Sequence, residues 1–446
     1  MASGESSEKL LKRPWLNIVE QWLLWLSLFL LPWQMRHIFV WGSLNGGYFE
    51  YGSLSLYTVD VVIILLLLFW FFRKSLRHIY VGPKFVMLPL MMFILWITAS
   101  VFWAQDALVS VAAAAHYWLF FVWLVYLINE IKDWRKILWP FVAGVGFQAI
   151  VGIAQYLSNS SVGLAFLGES ILDPGAGNGI PVIGEGSSQL RAHGMLPHAN
   201  MLGGLMTASL PIFWYLYHKA EPYRRQLLLL LMMLTGVALA LSYSRAAWAT
   251  LILIAIAGII VGFRTKNKIL FQAIGITMLA FMLALGPQAS FVLSRFNTQA
   301  AIEQISIDER IEGYKQWQQM INDNSVRGVG VGNYALSLKE LDSARESWWY
   351  QPVHNIYLLI TGELGVIGAA IWLWLITAVL CLGWRDWRDR QATMLIFLTP
   401  ISIWLLGLVD HWPISLQQGR LLLFLALALT ILTTRVSYKG HTSRKE

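Results

Sequence analysis

Twelve apolar runs decide most of what this chain can become. They fall at about 17–35, 54–72, 85–103, 108–128, 137–156, 201–217, 226–243, 246–263, 269–287, 354–382, 391–410 and 420–435, each long enough to cross a bilayer. Lipid offers the backbone no hydrogen-bond partner, so such a segment must close its bonds within itself as a helix. The fold class that follows is an all-α polytopic membrane protein with about twelve transmembrane helices, forming one integral membrane domain over residues 1–446. A composition of 57% hydrophobic and only 13% charged residues, with 23 tryptophans, agrees with a chain whose solvent is largely lipid.

Charge then gives the orientation. Lys9, Lys12 and Arg13; Arg73, Lys74, Arg77 and Lys84; Lys132, Arg135 and Lys136; Lys219, Arg224 and Arg225; Arg264, Lys266 and Lys268; Arg385, Arg388 and Arg390; and Arg435, Lys439, Arg444 and Lys445 all fall on one side of the runs. The positive-inside rule makes that side the cytoplasm and places both termini there. The net charge of +8 is therefore mainly an orientation signal with some attraction to anionic headgroups, and nucleic acid is not needed as a partner. Met1 to Arg13 is polar and the first apolar run lacks a small-residue cleavage site, so that run is expected to remain as a signal anchor. The single cysteine, Cys381, rules out an intrachain disulfide and a cysteine-cluster metal site.

Two long connections on the opposite, non-cytoplasmic side are where function is expected. The first, 157–200, is rich in glycine and small polar residues and ends in Arg191-Ala-His193-Gly-Met-Leu-Pro-His198-Ala-Asn200. The second, 288–353 between the ninth and tenth spans, is partly helical: Ser306-Ile-Asp-Glu309 reads as a capping box, followed by Ile311, Tyr314, Trp317, Met320 and Ile321 at near-helical spacing. Beyond it, His354 stands where the chain returns to the bilayer, after Pro352. A helix starting there would bring its positive end close to the imidazole, favouring the neutral ring that can accept a proton. His354 is thus a candidate general base, and interfacial capping is the plainer alternative.

Arg191, Arg245, Arg310 and His354 form a basic group on the side where orientation bias leaves few cations. Arginine suits a bidentate grip on phosphate oxygens, so a cavity lined by these residues would hold a lipid phosphate or pyrophosphate. Each alone also reads as a solvated or snorkelling charge. Glu363 lies nine residues after His354, half a turn around one straight helix, and is expected to bond to a neighbouring helix rather than to His354. Gly328-x-Gly330-x-Gly332 imitates a nucleotide loop but has Asn333 where a further glycine is needed. His193, His198, His354 and His411 show no tight ligand spacing with acidic partners, so no metal and no cofactor are expected. Gly203, Gly204 and Ala208 should let a neighbouring helix approach closely.

Four stretches resemble the bacterial O-antigen ligase and O-antigen polymerase superfamily of membrane glycosyltransferases. They are Arg191 with His193-Gly-x-x-x-His198-Ala-Asn200, Ser244-Arg245-x-x-Trp248, Arg310 to Trp317 with Gly328-x-Gly-x-Gly-Asn333, and His354-Asn355-x-x-Leu358 with Glu363-x-Gly365. The resemblance implies a GT-C-like membrane fold at the inner membrane, working on its outer face. It implies transfer of a glycan from an undecaprenyl-pyrophosphate carrier to an acceptor hydroxyl, on a lipid core or another glycan, without metal or nucleotide sugar. Carried onto this sequence, His354 would deprotonate or orient the acceptor, Arg191, Arg245 and Arg310 would bind the pyrophosphate, and His198, Asn355 and Glu363 would support the site.

Ligase and repeat-unit polymerase both fit these residues, with ligase preferred. From another class, a transporter or flippase of lipid-linked sugars would place its binding charges near the bilayer midplane. The cations here gather instead at one face.

Overall fold

A computed structural model describes residues 14–73, 79–173, 181–184, 187–296, 301–387 and 393–442. In chain order the helices are α1 (Pro14–Phe29), α2 (Thr58–Arg73), α3 (Lys84–Ser100), α4 (Ala107–Glu130), α5 (Trp134–Ser158), α6 (Ala199–Lys219), α7 (Pro222–Leu241), α8 (Arg245–Thr265), α9 (Lys268–Leu285), α10 (Ala289–Ser294), α11 (Ala301–Asn324), α12 (Tyr334–Leu341), α13 (Ile356–Trp387), α14 (Met394–Leu406), α15 (Trp412–Ser415) and α16 (Gln417–Thr442). Among the described residues, eight helical stretches are long and apolar enough to cross a membrane, and Leu16–Phe29 and Met394–Leu406 are apolar but shorter. The two remaining expected spans coincide with α2 and α6. Lys9, Lys12, Arg13, Lys74, Arg77, Arg388, Arg390, Arg444 and Lys445, and most of the glycine-rich stretch after Asp173, lie outside the described residues.

Helix α6 is the hub. Apart from Asn200, every residue from Ala199 to Tyr217 is buried, and α5, α7, α8, α9 and α14 all pack on it. A helix enclosed by protein can carry Thr207 and Ser209 because its neighbours, not lipid, meet them; Thr207 Oγ1 donates to Ala247 O at 3.2 Å. Gly203 and Gly204 do admit close neighbours: a Cβ at Gly203 would stand 2.9 Å from the Cβ of Ser244, and one at Gly204 would collide with the Trp412 ring. At one end of the bundle, Arg73 donates to Glu20 at 2.6 Å and to Glu130 at 2.8 Å, tying α1, α2 and α4 together.

Small strands join this helical frame. Between α1 and α2, β1 (Arg36–Val40) pairs antiparallel with β4 (Leu54–Tyr57), enclosing the hairpin of β2 (Ser43–Leu44) and β3 (Gly47–Tyr48). The hairpin turns on Asn45-Gly46, both at positive φ (50° and 81°), a pair suited to a two-residue turn. Asn45 Nδ2 donates to Ser343 O, Arg345 O and Tyr350 Oη, fastening this cap to the chain just before His354. A second pair, β5 (Pro181–Gly184) with β6 (Ser187–Leu190), leads into Arg191.

Two local expectations are corrected and a third takes a specific form. Helix α11 begins at Ala301, so Ser306 to Glu309 lies inside it and caps nothing; Ala301-Ile-Glu-Gln304 are adequate helix formers that extend it backwards. Helix α13 begins at Ile356 rather than near Pro352, with the Asn355 Oδ1 accepting from the N–H groups of Tyr357 and Leu358 at 2.8 and 3.1 Å. Glu363 bonds across to backbone, as its expected contact with a neighbouring helix requires: its carboxylate faces the N–H groups of Gly332 and of Tyr334, the first residue of α12.

That last contact follows from a break in α13. Gly365 sits at φ 67°, and a Cβ there would collide with the backbone of Val326 and Arg327. The strap Val326 to Asn333 passes through the break. Val329 N–H donates to Gly362 O at 3.0 Å, Gly330 N–H to Glu363 O at 2.8 Å, and Val366 N–H to Ser325 O at 2.9 Å. The freed backbone groups of a broken span are thereby paired, as an apolar surround demands. Gly328, Gly330 and Gly332 all adopt positive φ, which explains the glycine spacing without any nucleotide.

Candidate active site

His354 is positioned by a staple between two chain turns. Ile356 N–H donates to Gly407 O at 2.8 Å and Asn355 Nδ2 to Leu408 O at 2.9 Å, so the start of α13 is bound to the turn that follows α14. That turn carries Asp410 and His411. The staple therefore brings His354 Nδ1 to 3.8 Å from Asp410 Oδ1, and the His354 and His411 rings to 5.1 Å between centroids. The first separation is an ion-pair distance, longer than a direct hydrogen bond.

Asp410 is in turn fixed by its own surroundings. Its Oδ1 accepts from the His411 N–H at 2.8 Å, and Asn200 Nδ2 lies 3.5 Å from Oδ2. Asn200 Oδ1 accepts from Arg191 Nη2 at 2.6 Å, and Arg191 Nε donates to Ser242 O at 2.7 Å. A continuous polar chain thus runs from Arg191 through Asn200 and Asp410 toward His354. Burial works against ionising Asp410, but the imidazoles of His354, His411 and His198 outweigh it and hold the carboxyl well below the usual carboxylate range. Burial, with smaller help from His354, pushes His411 down to about 4, and burial with Arg191 pushes His198 well down. His198 Nδ1 accepts from Asn200 N–H at 2.9 Å and caps α6.

These residues line a cavity of about 580 Å³ together with Arg295 and Arg310. Arg295 is buried and its Nε donates to Tyr243 O at 3.3 Å. Of the residues singled out from sequence, the cavity gathers His354, Arg191, Arg310 and His198. Arg245 is not on its wall: it opens α8 behind Arg295 and donates from Nη1 to the Arg295 carbonyl at 2.7 Å. Asn355 points into the staple, and Glu363 lines a neighbouring cavity instead.

Sequence reasoning missed Asp410, Arg295 and the pair Arg36–Glu50. Arg36 grips Glu50 through both terminal nitrogens at 2.6 and 2.7 Å, on the cavity wall. The signal for Asp410 was a carboxylate directly before His411 in a short turn between two apolar spans, where a charge has no orientation role. Among the described residues, His354, Asp410 and His411 also form a group whose ligand atoms all lie within 4.8 Å, the set that could hold a metal ion. Chemically, the wall offers an imidazole beside an ionised carboxylate together with Arg191, Arg295, Arg310 and the Glu50-paired Arg36, a surround suited to an oligophosphate whose leaving oxygen needs charge stabilisation.

Residues 228–373, about a third of the chain, match the family model described as O-antigen ligase. The match runs through Arg245, Arg295, Arg310, the glycine strap and His354, and ends before Asp410 and His411. No curated protein matches the chain. With its apolar helices and the four sequence stretches, that match supports the resemblance of the chain to the O-antigen ligase and polymerase family.

Proposed function

We propose that the chain is a glycosyltransferase of the O-antigen ligase type, moving a glycan from an undecaprenyl-pyrophosphate carrier to an acceptor hydroxyl at the outer face of the cytoplasmic membrane. The family implies a lipid-linked glycan substrate in a membrane setting. The observation that carries the reading is one cavity whose wall holds His354, backed by Asp410, together with Arg191, Arg295 and Arg310.

In the proposed step the acceptor oxygen attacks the anomeric carbon of the donor. A new carbon–oxygen bond forms as the bond from that carbon to the pyrophosphate oxygen breaks. His354 takes the hydroxyl proton, and the electron pair leaves with undecaprenyl pyrophosphate. The arginines stabilise the charge that gathers on the departing oxygens, and Asp410 stabilises the imidazolium formed at His354. Arg245 acts indirectly, by holding the Arg295 backbone.

The test is a reconstituted reaction in which purified wild-type and His354→Ala proteins receive an undecaprenyl-pyrophosphate-linked glycan and candidate lipid-core or glycan acceptors. Products are read by mass spectrometry. Glycosylated acceptor and free carrier from wild type alone, with both proteins equally folded, is the expected result, and equal transfer by both would remove His354 from the mechanism. A single transferred chain supports ligation, whereas a ladder of repeat units would replace it with the polymerase reading.

A further inference from the structure

We propose that a second, smaller polar cavity beside the arginine-lined one is a subsite for the acceptor's sugar, holding the hydroxyl-bearing edge of a neutral ring. The inference rests on the transferase reading above and names where the nucleophile's own ring sits.

The cavity measures about 120 Å³ and is lined by Glu363 of α13, Gln417 and Arg420 of α16, His116 of α4, and Arg36 and Glu50 of the β cap. Arg36, Glu50, Tyr51, Tyr57 and Leu416 also line the large cavity, so the two spaces adjoin. His411 connects them further: its ring is 5.1 Å from that of His354, and its Nδ1 is 2.6 Å from the Oγ of Ser415, which lines the small cavity. Arg191, Arg295 and Arg310 line only the large one. In-line displacement needs the nucleophile on the face of the reacting carbon opposite the leaving group. With the pyrophosphate held by Arg191, Arg295 and Arg310, none of which lines the small cavity, the acceptor's ring is assigned to the adjoining small cavity.

The wall itself selects for a polyol. Arg36 and Arg420 disfavour a cation, and Glu50 and Glu363 disfavour an anion. A ring edge whose hydroxyls both donate and accept meets both sets. The wall also has hydrogen-bonding capacity to spare. Gln417 is fully buried; its Nε2 donates to Asp60 while its Oε1 has no partner. Arg420 Nε is likewise buried without a partner, and its guanidinium lies over the Tyr117 ring at 5.5 Å. Arg420 and Glu363 share the cavity wall. Buried groups of this kind ordinarily find partners, and a sugar edge supplies them.

The test uses full-length protein in lipid nanodiscs with methyl α-glucoside, methyl α-galactoside and methyl N-acetyl-α-glucosaminide as probes, read by saturation-transfer difference NMR. At least one probe is expected to bind wild type, with the signal falling at least about five-fold in Arg420→Gln and in Glu363→Gln at an unchanged melting temperature. Arg420→Lys keeps the charge but loses the guanidinium fork, and guards against a variant that misfolds; it should recover only part of the signal. No binding to wild type, or equal binding by the variants, overturns the subsite. In the transfer assay the same variants should raise the acceptor KM about ten-fold and leave the donor KM within two-fold. A raised donor KM instead would overturn the acceptor assignment. Because the NMR arm needs no turnover, lost probe binding in the variants of a protein that transfers nothing would retain the subsite and reject the transferase reading.

Discussion

Replacing Asp410 by Asn isolates the charge that faces the candidate base. The change keeps the size of the side chain and its bond from the His411 N–H, but removes a negative charge 3.8 Å from His354 Nδ1. Two unit charges at that distance attract by about 4 kcal/mol at an effective dielectric constant of about 20. If roughly half of a proton's charge has reached the imidazole at the transition state, about 2 kcal/mol of stabilisation is lost, a drop of about 30-fold in kcat. The donor KM should move the other way. Asp410 repels a pyrophosphate, so removing its charge should leave donor binding unchanged or slightly tighter. Initial rates in proteoliposomes, measured separately against donor and acceptor concentration, resolve the two effects. A kcat within two-fold of wild type at equal folding would refute the role assigned to Asp410. A loss expressed wholly as a raised donor KM would show instead that Asp410 organises the pyrophosphate site through Asn200.

Two further outcomes follow from the frame. Gly365→Ala forces a side chain into φ 67° and against the Val326 backbone, and should destabilise the protein by more than about 1 kcal/mol, seen as a lowered melting temperature in detergent. Acid should destabilise the protein through His193 and His411, each held at about 4 in the folded state, mainly by burial. Because the folded values lie below the unfolded one, the unfolded chain takes up the protons first. Stability is then full above about pH 6.5 and declines between there and pH 4. His193→Asn should flatten that decline in a melting-temperature series against pH.

Eight of the expected spans were legible because lipid burial imposes a length and an apolar character that sequence displays directly. The gathering of Arg191, Arg310 and His354 on one cavity wall was legible for a related reason: charges on the face with few cations stand out against an apolar background. Arg245 carried the same signal yet lies one layer back, since a charge at a turn looks alike whether it faces a cavity or props up a neighbour's carbonyl. The break at Gly365 was not legible. Its cause is a strap more than thirty residues earlier in the chain, which pairs with the opened backbone of α13. Asp410 escaped for the same reason, because its meaning depends on the staple between Asn355 and Leu408, a contact between segments 53 residues apart.

The acidic neighbourhood of Arg310 then gains a physical sense. Arg191, Arg295 and Arg310 line the large cavity together with Glu309, Glu50 and Asp410, so its cations are tempered by carboxylates. On the proposed reading, a purely cationic cradle would hold the undecaprenyl pyrophosphate product too tightly for release, since the leaving group keeps its charge after the glycan has gone. Glu309 is the exposed member of this set, so its repulsion is screened and small, on the order of 0.5 to 1 kcal/mol. Glu309→Gln should therefore tighten binding of the free carrier about two- to five-fold and lower kcat by a similar factor where release limits turnover. The effect should shrink as salt is raised. Product inhibition by added undecaprenyl pyrophosphate, measured at low and high ionic strength, reads this directly. Unchanged inhibition in the variant at both salt concentrations would mean that the acidic residues beside Arg310 belong to the surface of α11 and take no part in releasing the carrier.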